Sequence, residues 1–328
     1  MNFRTLGKTN FKITEIGIGT WQVGGKWGSD FDPKLAENIL NSAADQGINF
    51  IDTADVYSDG ESEKAIGRFL KTRSEKFIVA TKCGRQINPH VSQGYTVPVL
   101  RKYVEDSLRR LKVDTLDLIQ LHCPPTEVYY RPEIFELFDQ LKLEGKIQNL
   151  GISVEKIEEA LKGIEYDNVT SVQIIFNMFR QRPAELFFEQ AKKKNVGIIA
   201  RVPLASGLLT GKFSANSTFE KGDHRNFNRN GEMFDKGETF SGVDYATGLE
   251  AVSELQEILS TDFTLAAQAL RWILMFDAIS TVIPGASSPE QIGSNLAAAN
   301  TPPFDDDKMI KIKDLYQKYF KKTIHHWW

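Results

Sequence analysis

Gly47-Ile-Asn-Phe-Ile-Asp-Thr-Ala-Asp-Val-Tyr57 is followed by Phe77-Ile-Val-Ala-Thr-Lys82 and then by Leu116-Asp-Leu-Ile-Gln-Leu-His122. Each contains an apolar run of strand length, too short for a helix of ordinary size. Residues 48–52, 77–82 and 116–122 end on Asp52, Lys82 and His122 respectively.

Five further runs of the same kind lie at 15–20, 147–152, 171–175, 197–202 and 280–283. The stretches between them carry helical periodicity. Residues 34–44 follow Asp32-Pro33, an N-cap with proline at the first helical position. Residues 99–111 follow Pro98 and repeat apolar side chains at three- and four-residue steps, as do 133–144 and 184–194. Strands alternating with helices make βαβ units and a parallel sheet. Eight such units favour a closed ring, which leaves no sheet edge. The expectation is an α/β chain folded as one (β/α)₈ TIM barrel over residues 1–328. An N-terminal β-hairpin within 2–11, turning at Gly7-Lys8, should close its bottom. Residues 213–245, after strand seven, lack an apolar run and are rich in Gly, Asn, Asp and Lys. A loop that long in a compact domain is usually functional or mobile.

Composition narrows the class. A formal net charge of −3 gives no basic surplus for nucleic acid or an anionic membrane. The two cysteines, Cys83 and Cys123, form neither a disulfide framework nor a CxxC pair. The opening residues are polar and basic with no apolar run behind them, and no apolar stretch approaches the ~18 residues of a membrane-spanning helix. The reading is a cytoplasmic globular protein.

In a (β/α)₈ barrel the C-terminal strand ends face the active site. Asp52, Lys82 and His122 should therefore converge at one mouth, and Tyr57 in the turn-forming loop after Asp52 can join them. Singly, each has a plain explanation: a helix cap, a solvated strand end, a core histidine. At successive strand ends they make a proton-transfer set. Tyrosine titrates near pH ~10, and a neighbouring ammonium lowers such a value by ~1–3 units. Asp52 can hold Lys82, and His122 can orient a carbonyl oxygen. A proton given to a developing alkoxide calls for a hydride, which no side chain supplies. Neither GxGxxG after a first strand nor GxxxxGK[ST] is present, so the cofactor site is of another kind. No metal cluster is visible.

With these residues in view, the chain resembles the aldo-keto reductase superfamily over nearly its whole length. Residues 47–57 are similar to the family's first signature, Ala80-Thr-Lys82 to its lysine block and Leu121-His122 to its histidine block. The resemblance implies NADPH, with NADH possible, and reversible reduction of a small carbonyl substrate. Asp52, Tyr57, Lys82 and His122 would be catalytic. It implies cofactor contacts from Gly19, Thr20, Trp21, Asp52, Ser153, Gln173 and Arg201. A diphosphate segment would follow at Pro203, Leu204, Ser206, Gly207, Leu209, Gly211 and Lys212, and an adenosine-phosphate segment at Gly285, Ser287, Gln291 and Asn295. Trp21, Trp27, Tyr57, His122 and Cys123 would line the substrate pocket. Three positions depart from the family: Arg201 where an aromatic usually stacks on the nicotinamide, Val154 in place of Asn, and Gln291 in place of a basic residue. The cofactor segments also resemble potassium-channel β-subunits, so a cofactor-binding regulatory subunit is the alternative, and an intact tetrad argues for turnover instead. An isomerase with a phosphate site after strands seven and eight is a third reading, disfavoured by the Asp52/Tyr57/Lys82/His122 set. The tail, 321–328, has three readings: it folds over the mouth, it engages a partner, or, as termini more often do, it frays.

Overall fold

In the computed structural model, which describes residues 1–25 and 30–328, the chain runs β1 (Phe3–Thr5), β2 (Lys12–Thr14), β3 (Ile18–Gly19), α1 (Pro33–Asp45), β4 (Phe50–Asp52), α2 (Glu61–Leu70), β5 (Ile78–Cys83), α3 (Val97–Leu111), β6 (Leu116–His122), α4 (Pro132–Leu143), β7 (Ile147–Ser153) and α5 (Ile157–Gly163). It continues β8 (Val169–Ile175), α6 (Phe187–Lys193), β9 (Gly197–Arg201), α7 (His224–Phe227), α8 (Tyr245–Ile258), α9 (Leu265–Leu274), β10 (Ile279–Val282), α10 (Pro289–Asn300), α11 (Asp306–Tyr316) and α12 (Lys322–Ile324). β3 to β10 pair in sequence order and every pair is parallel. The ring shuts between its first and last strands. Gly17 N donates to Val282 O at 2.9 Å, Val282 N to Glu15 O at 3.0 Å and Gly19 N to Pro284 O at 3.1 Å. Glycine is needed at this seam: a Cβ on Gly17 would stand 2.8 Å from the Phe50 ring and 3.0 Å from its carbonyl oxygen.

Side chains alternate across each strand. One set faces the helices, where Ile18, Ile51, Val79, Ile119, Leu121, Ile152, Ile174 and Ile198 join the main core. The other set faces inward. Phe50, Ile78, Ala80, Leu118, Ile199 and Ile283 fill the lower interior, and Leu6 and Ile13 plug it from below. Those plugs come from the expected hairpin, which runs to Thr14 because β1 and β2 pair from Phe3↔Thr14 to Thr5↔Lys12. Arg4 fastens it by donating to Leu274 O at 2.7 Å and Ile279 O at 2.8 Å.

The helical expectations hold with small changes at the ends. Asp32 Oδ1 caps α1, accepting from Lys34 N at 2.8 Å and Leu35 N at 3.1 Å. α3 starts at Val97, earlier than residue 99, because Pro98 fits its first turn. The 184–194 stretch is a 3₁₀ turn (Arg182–Ala184) followed by α6.

Residues 213–245 form a packed strap of short turns. Asn228 organises it: its Oδ1 accepts from Met233 N and Phe234 N at 2.9 Å each, and its Nδ2 donates to Thr239 Oγ1 at 3.1 Å. The tail does not fray. Trp328 is 5% exposed and seals the strap's second half.

Candidate active site

The inward parity that fills the bottom with Phe50, Ile78, Ala80 and Leu118 puts polar groups further up the same strands: Asp52 two residues past Phe50, Lys82 two past Ala80, and Gln120 and His122 two and four past Leu118. Lys82 and Asp52 are 1% and 2% exposed, so their charges must satisfy each other. Lys82 Nζ donates to Asp52 Oδ1 at 2.6 Å, to Thr53 O at 2.8 Å and to the Tyr57 hydroxyl at 3.2 Å. The second carboxylate oxygen, Asp52 Oδ2, accepts from Gln173 Nε2 at 2.7 Å and Gln120 Nε2 at 3.2 Å. The Tyr57 and His122 rings meet edge to face, centroids 6.1 Å apart.

Electrostatics gives these groups distinct states. Burial raises the Tyr57 hydroxyl above its ordinary value and Lys82 pulls it back, so it stands protonated, its oxygen against a cation. Burial works against the Lys82 ammonium, but Asp52 and Tyr57 together outweigh it and raise its pKa. Burial first, then Arg85 and Lys82, push His122 well below the usual histidine value. The imidazole is neutral, and its Nδ1 has no hydrogen-bond partner among the described residues.

Next to His122 lies a second group. Arg201 at the end of β9 donates to Glu155 Oε2 at 2.9 Å and Val154 O at 3.1 Å. Glu238, brought in by the strap, lies 2.8 Å from Arg85 and 3.6 Å from Arg201. Burial raises Glu155 to about 8 despite Arg201, with Glu238 adding to the rise. Glu238 stays low because Arg85 and Arg201 overcome its own burial. Ligand atoms of Cys123, Glu155 and Glu238 lie within 4.8 Å of one another, but two guanidiniums already engage the carboxylates and would repel a cation.

Asp52, Tyr57, Lys82 and His122 are thus brought together as expected. Trp21 stacks 6.2 Å from Tyr57, beside His224 and Phe234 at 5.1 and 6.3 Å, so it lines the mouth. Trp27 lies outside the described residues. Cys123 is buried with Sγ 3.4 Å from Ser153 Oγ. Gly19 lies on the ring seam, and Thr20 Oγ1 donates to Asp52 O at 2.9 Å. Gln173 is spent on Asp52 here. Arg201 faces carboxylates, so its part in the mouth is ionic.

The two segments expected to meet a cofactor follow β9 and β10 at this same end. Val202, Ala205, Ser206 and Gly207 have φ of 50, 47, 53 and 99°, and the tight turns they make are closed by Ala205 N donating to Val202 O and by Gly207 N and Leu209 N donating to Leu204 O. Pro203 and Leu209 are buried, while Leu204 is half-buried and Lys212 exposed. Gly211, φ 69°, ends the segment. The Ser206 hydroxyl serves the strap, donating to Glu238 O at 3.1 Å and accepting from Phe240 N at 3.0 Å. At α10, Ser288 makes no side-chain cap bond, Pro289 brings no N–H, and Gln291 N donates to Ser288 O at 3.2 Å. Gln291 accepts from Ser287 N at 2.8 Å, and Asn295 donates to Gly285 O at 3.2 Å, fixing the loop's shape. Among the described residues, a Cβ on Gly285 would meet Gln22 at 3.5 Å and Gly19 at 3.9 Å and nothing nearer, so none of them crowds this edge. A dinucleotide would meet the uncrowded edge at Gly285 and the exposed Lys212 here.

Gln120, Arg85, Glu155 and Glu238 were not singled out from the sequence. Gln120 could have been, since it shares the inward parity of His122. The three charged residues sit in polar loops where no period marks them.

A buried Asp–Lys pair holding a tyrosine beside a neutral histidine, at the mouth of a ring of eight parallel strands, defines a barrel oxidoreductase. The family model described as the aldo/keto reductase family matches residues 15–317, and the chain belongs to that family. It is similar to the uncharacterized oxidoreductase YqkF of Bacillus subtilis, 30% identical over 99% of this chain and 98% of that protein. It is also similar to an NADH-specific methylglyoxal reductase of Escherichia coli, 26% identical over 93% of this chain and 95% of that one. Among solved structures it resembles the holo form of the aldo-keto reductase AKR11C1 from Bacillus halodurans, with a TM-score of 0.79, 27% identity and 99% of each chain covered.

Proposed function

We propose that this chain reduces an aldehyde or ketone to an alcohol, reversibly, with Tyr57 as proton donor and with NADPH or NADH as the reductant. One observation carries the reading: Lys82 Nζ joins the Asp52 carboxylate and the Tyr57 hydroxyl at 2.6 and 3.2 Å beside a neutral His122. When bound, the dinucleotide would supply the hydride. Ser153, Lys212 and the edge at Gly285 would hold it.

The chain's own residues do the rest. His122, uncharged, donates an N–H to the carbonyl oxygen and fixes its direction without a competing positive charge. Tyr57 gives its proton to that oxygen as negative charge develops there. The tyrosinate left behind is stabilised by Lys82, already in place and held by Asp52, so little reorganisation is needed. Gln120 and Gln173 keep Asp52 oriented. The complete tetrad supports turnover over a purely regulatory role. The E. coli relative's activity supports a small carbonyl substrate. The rim supports either dinucleotide, since Gln291 brings no charge for a 2′-phosphate.

The test is a titration of the protein with NADPH and with NADH, followed by tryptophan fluorescence, and then a screen of small aldehydes and ketones. Saturable binding with carbonyl-dependent oxidation of the dinucleotide is expected. Binding of neither dinucleotide would end the reading.

A further inference from the structure

The strap's inner end is fastened from two sides. Toward the barrel, Glu238 pairs with Arg85 and Arg201. On the other side it is fastened by the last residue of the chain. Trp328 Nε1 donates to Asp235 Oδ1 at 2.8 Å. That same oxygen accepts from Gly237 N at 2.7 Å and so starts the turn Lys236–Glu238. The indole lies over the Arg180 guanidinium, 4.3 Å from carbon to centroid. The Trp328 carbonyl oxygen accepts from Arg182 at 2.6 Å. Two glycines receive the ring. A Cβ on Gly242 would stand 2.3 Å from Trp328 Cη2, and one on Gly237 2.9 Å from Cε2. Arg180, sandwiched by the indole, also donates to Glu155 O at 2.6 Å.

These contacts form one short line: Trp328, Asp235, the turn at Gly237, Glu238, then Arg85 and Arg201 beside His122. We propose that Trp328 is a positioning residue for Glu238, so that the docked end of the chain sets the ion-pair arrangement at the barrel mouth without touching any ligand there. The indole does what a general apolar plug would not. Its N–H fixes the carboxylate that caps the Glu238 turn, and its face holds the arginine that supports Glu155. The effect on ligand binding rests on the carbonyl-reductase reading; the effect on the strap does not.

The experiment uses the full chain with Trp328→Ala, Trp328→Phe and Glu238→Gln. Hydrogen exchange of the 237–242 amides is measured without dinucleotide, and NADPH and NADH affinities are measured alongside. Trp328→Ala should speed exchange at 237–242 while the barrel amides of β4 to β6 keep their protection. Trp328→Phe, which keeps the ring and loses the N–H, should speed it at 237 and 238. Trp328→Ala and Glu238→Gln should each weaken dinucleotide binding by ~2- to 30-fold, the range for a change acting through an intermediate residue. The double variant should be no weaker than the weaker single one. Unchanged exchange at 237–242 in Trp328→Ala overturns the proposal, as does full additivity in the double variant. If even the wild type binds no dinucleotide while exchange responds as described, the positioning role stands and the redox reading falls.

Discussion

The Lys82 ammonium stands 3.2 Å from the hydroxyl oxygen of Tyr57 while Asp52 holds it from the other side at 2.6 Å. The tyrosine therefore loses its proton into an environment already arranged for the anion. Tyr57→Phe removes the donor and leaves the packing. It should lower kcat by ~10²- to 10⁴-fold, the usual worth of a positioned general acid, while dinucleotide affinity stays near wild type. Turnover within a few-fold of wild type would take Tyr57 out of the proton transfer.

The same pair dictates a stability result. Removing one partner of a buried ion pair strands the other, which typically costs ~3–5 kcal/mol. Asp52→Asn and Lys82→Met should each lower stability by about that much, and the double variant by much less than their sum. Denaturant unfolding of the three proteins checks this. Simple additivity would show that the two side chains are not a charged pair.

His122 bears on acid stability. Its folded pKa lies well below the unfolded value of 6.5, mainly through burial. The unfolded chain takes up the proton first, so its contribution is present above pH 6.5 and is lost as pH falls below it. The melting temperature of wild type should drop relative to His122→Gln between pH 7.5 and 5. A pH-independent difference between the two proteins would mean that the imidazole titrates alike in both states.

Glu155 runs the other way. Its folded pKa is raised by burial from 4.5 to about 8. Its contribution is thus fully present below pH 4.5 and is lost as pH rises toward 8. Glu155→Gln should gain stability relative to wild type across that range. The opposite slope would show that its bond to Arg201 keeps it ionised throughout.

Burial raises both thiols far above the usual cysteine range. In the folded protein at pH 8, Cys83 and Cys123 should resist alkylation, and mass spectrometry should find them modified only in denaturant. Rapid labelling of Cys123 would show that the mouth opens further than described.

The strands and the tetrad were legible because both follow from period two. Asp52, Lys82 and His122 end their runs with the parity that points inward, and β4, β5 and β6 are neighbours in the ring. The ionic group was not legible. Arg85, Glu155 and Glu238 come from three separate loops, and only tertiary structure shows that they meet. The seat of Trp328 was not legible, and fraying was the plainer reading of the tail, since nothing local reveals that Gly237 and Gly242, about ninety residues earlier, leave room for an indole. The loop read as a turn before α2 ends at Gly60, whose φ of 83° both closes the loop and starts the helix.

The seam between Glu15–Gly19 and Val282–Gly285 has a kinetic consequence. It joins parts of the chain separated by almost its whole length, so the entropy of closing that loop must be met before its few hydrogen bonds form. Until then β3 and β10 are open edges, with backbone donors and acceptors available to another molecule. Refolding from denaturant should therefore end on a slow step in which the barrel shuts. Its yield should fall as protein concentration rises, because intermolecular pairing competes at those two edges.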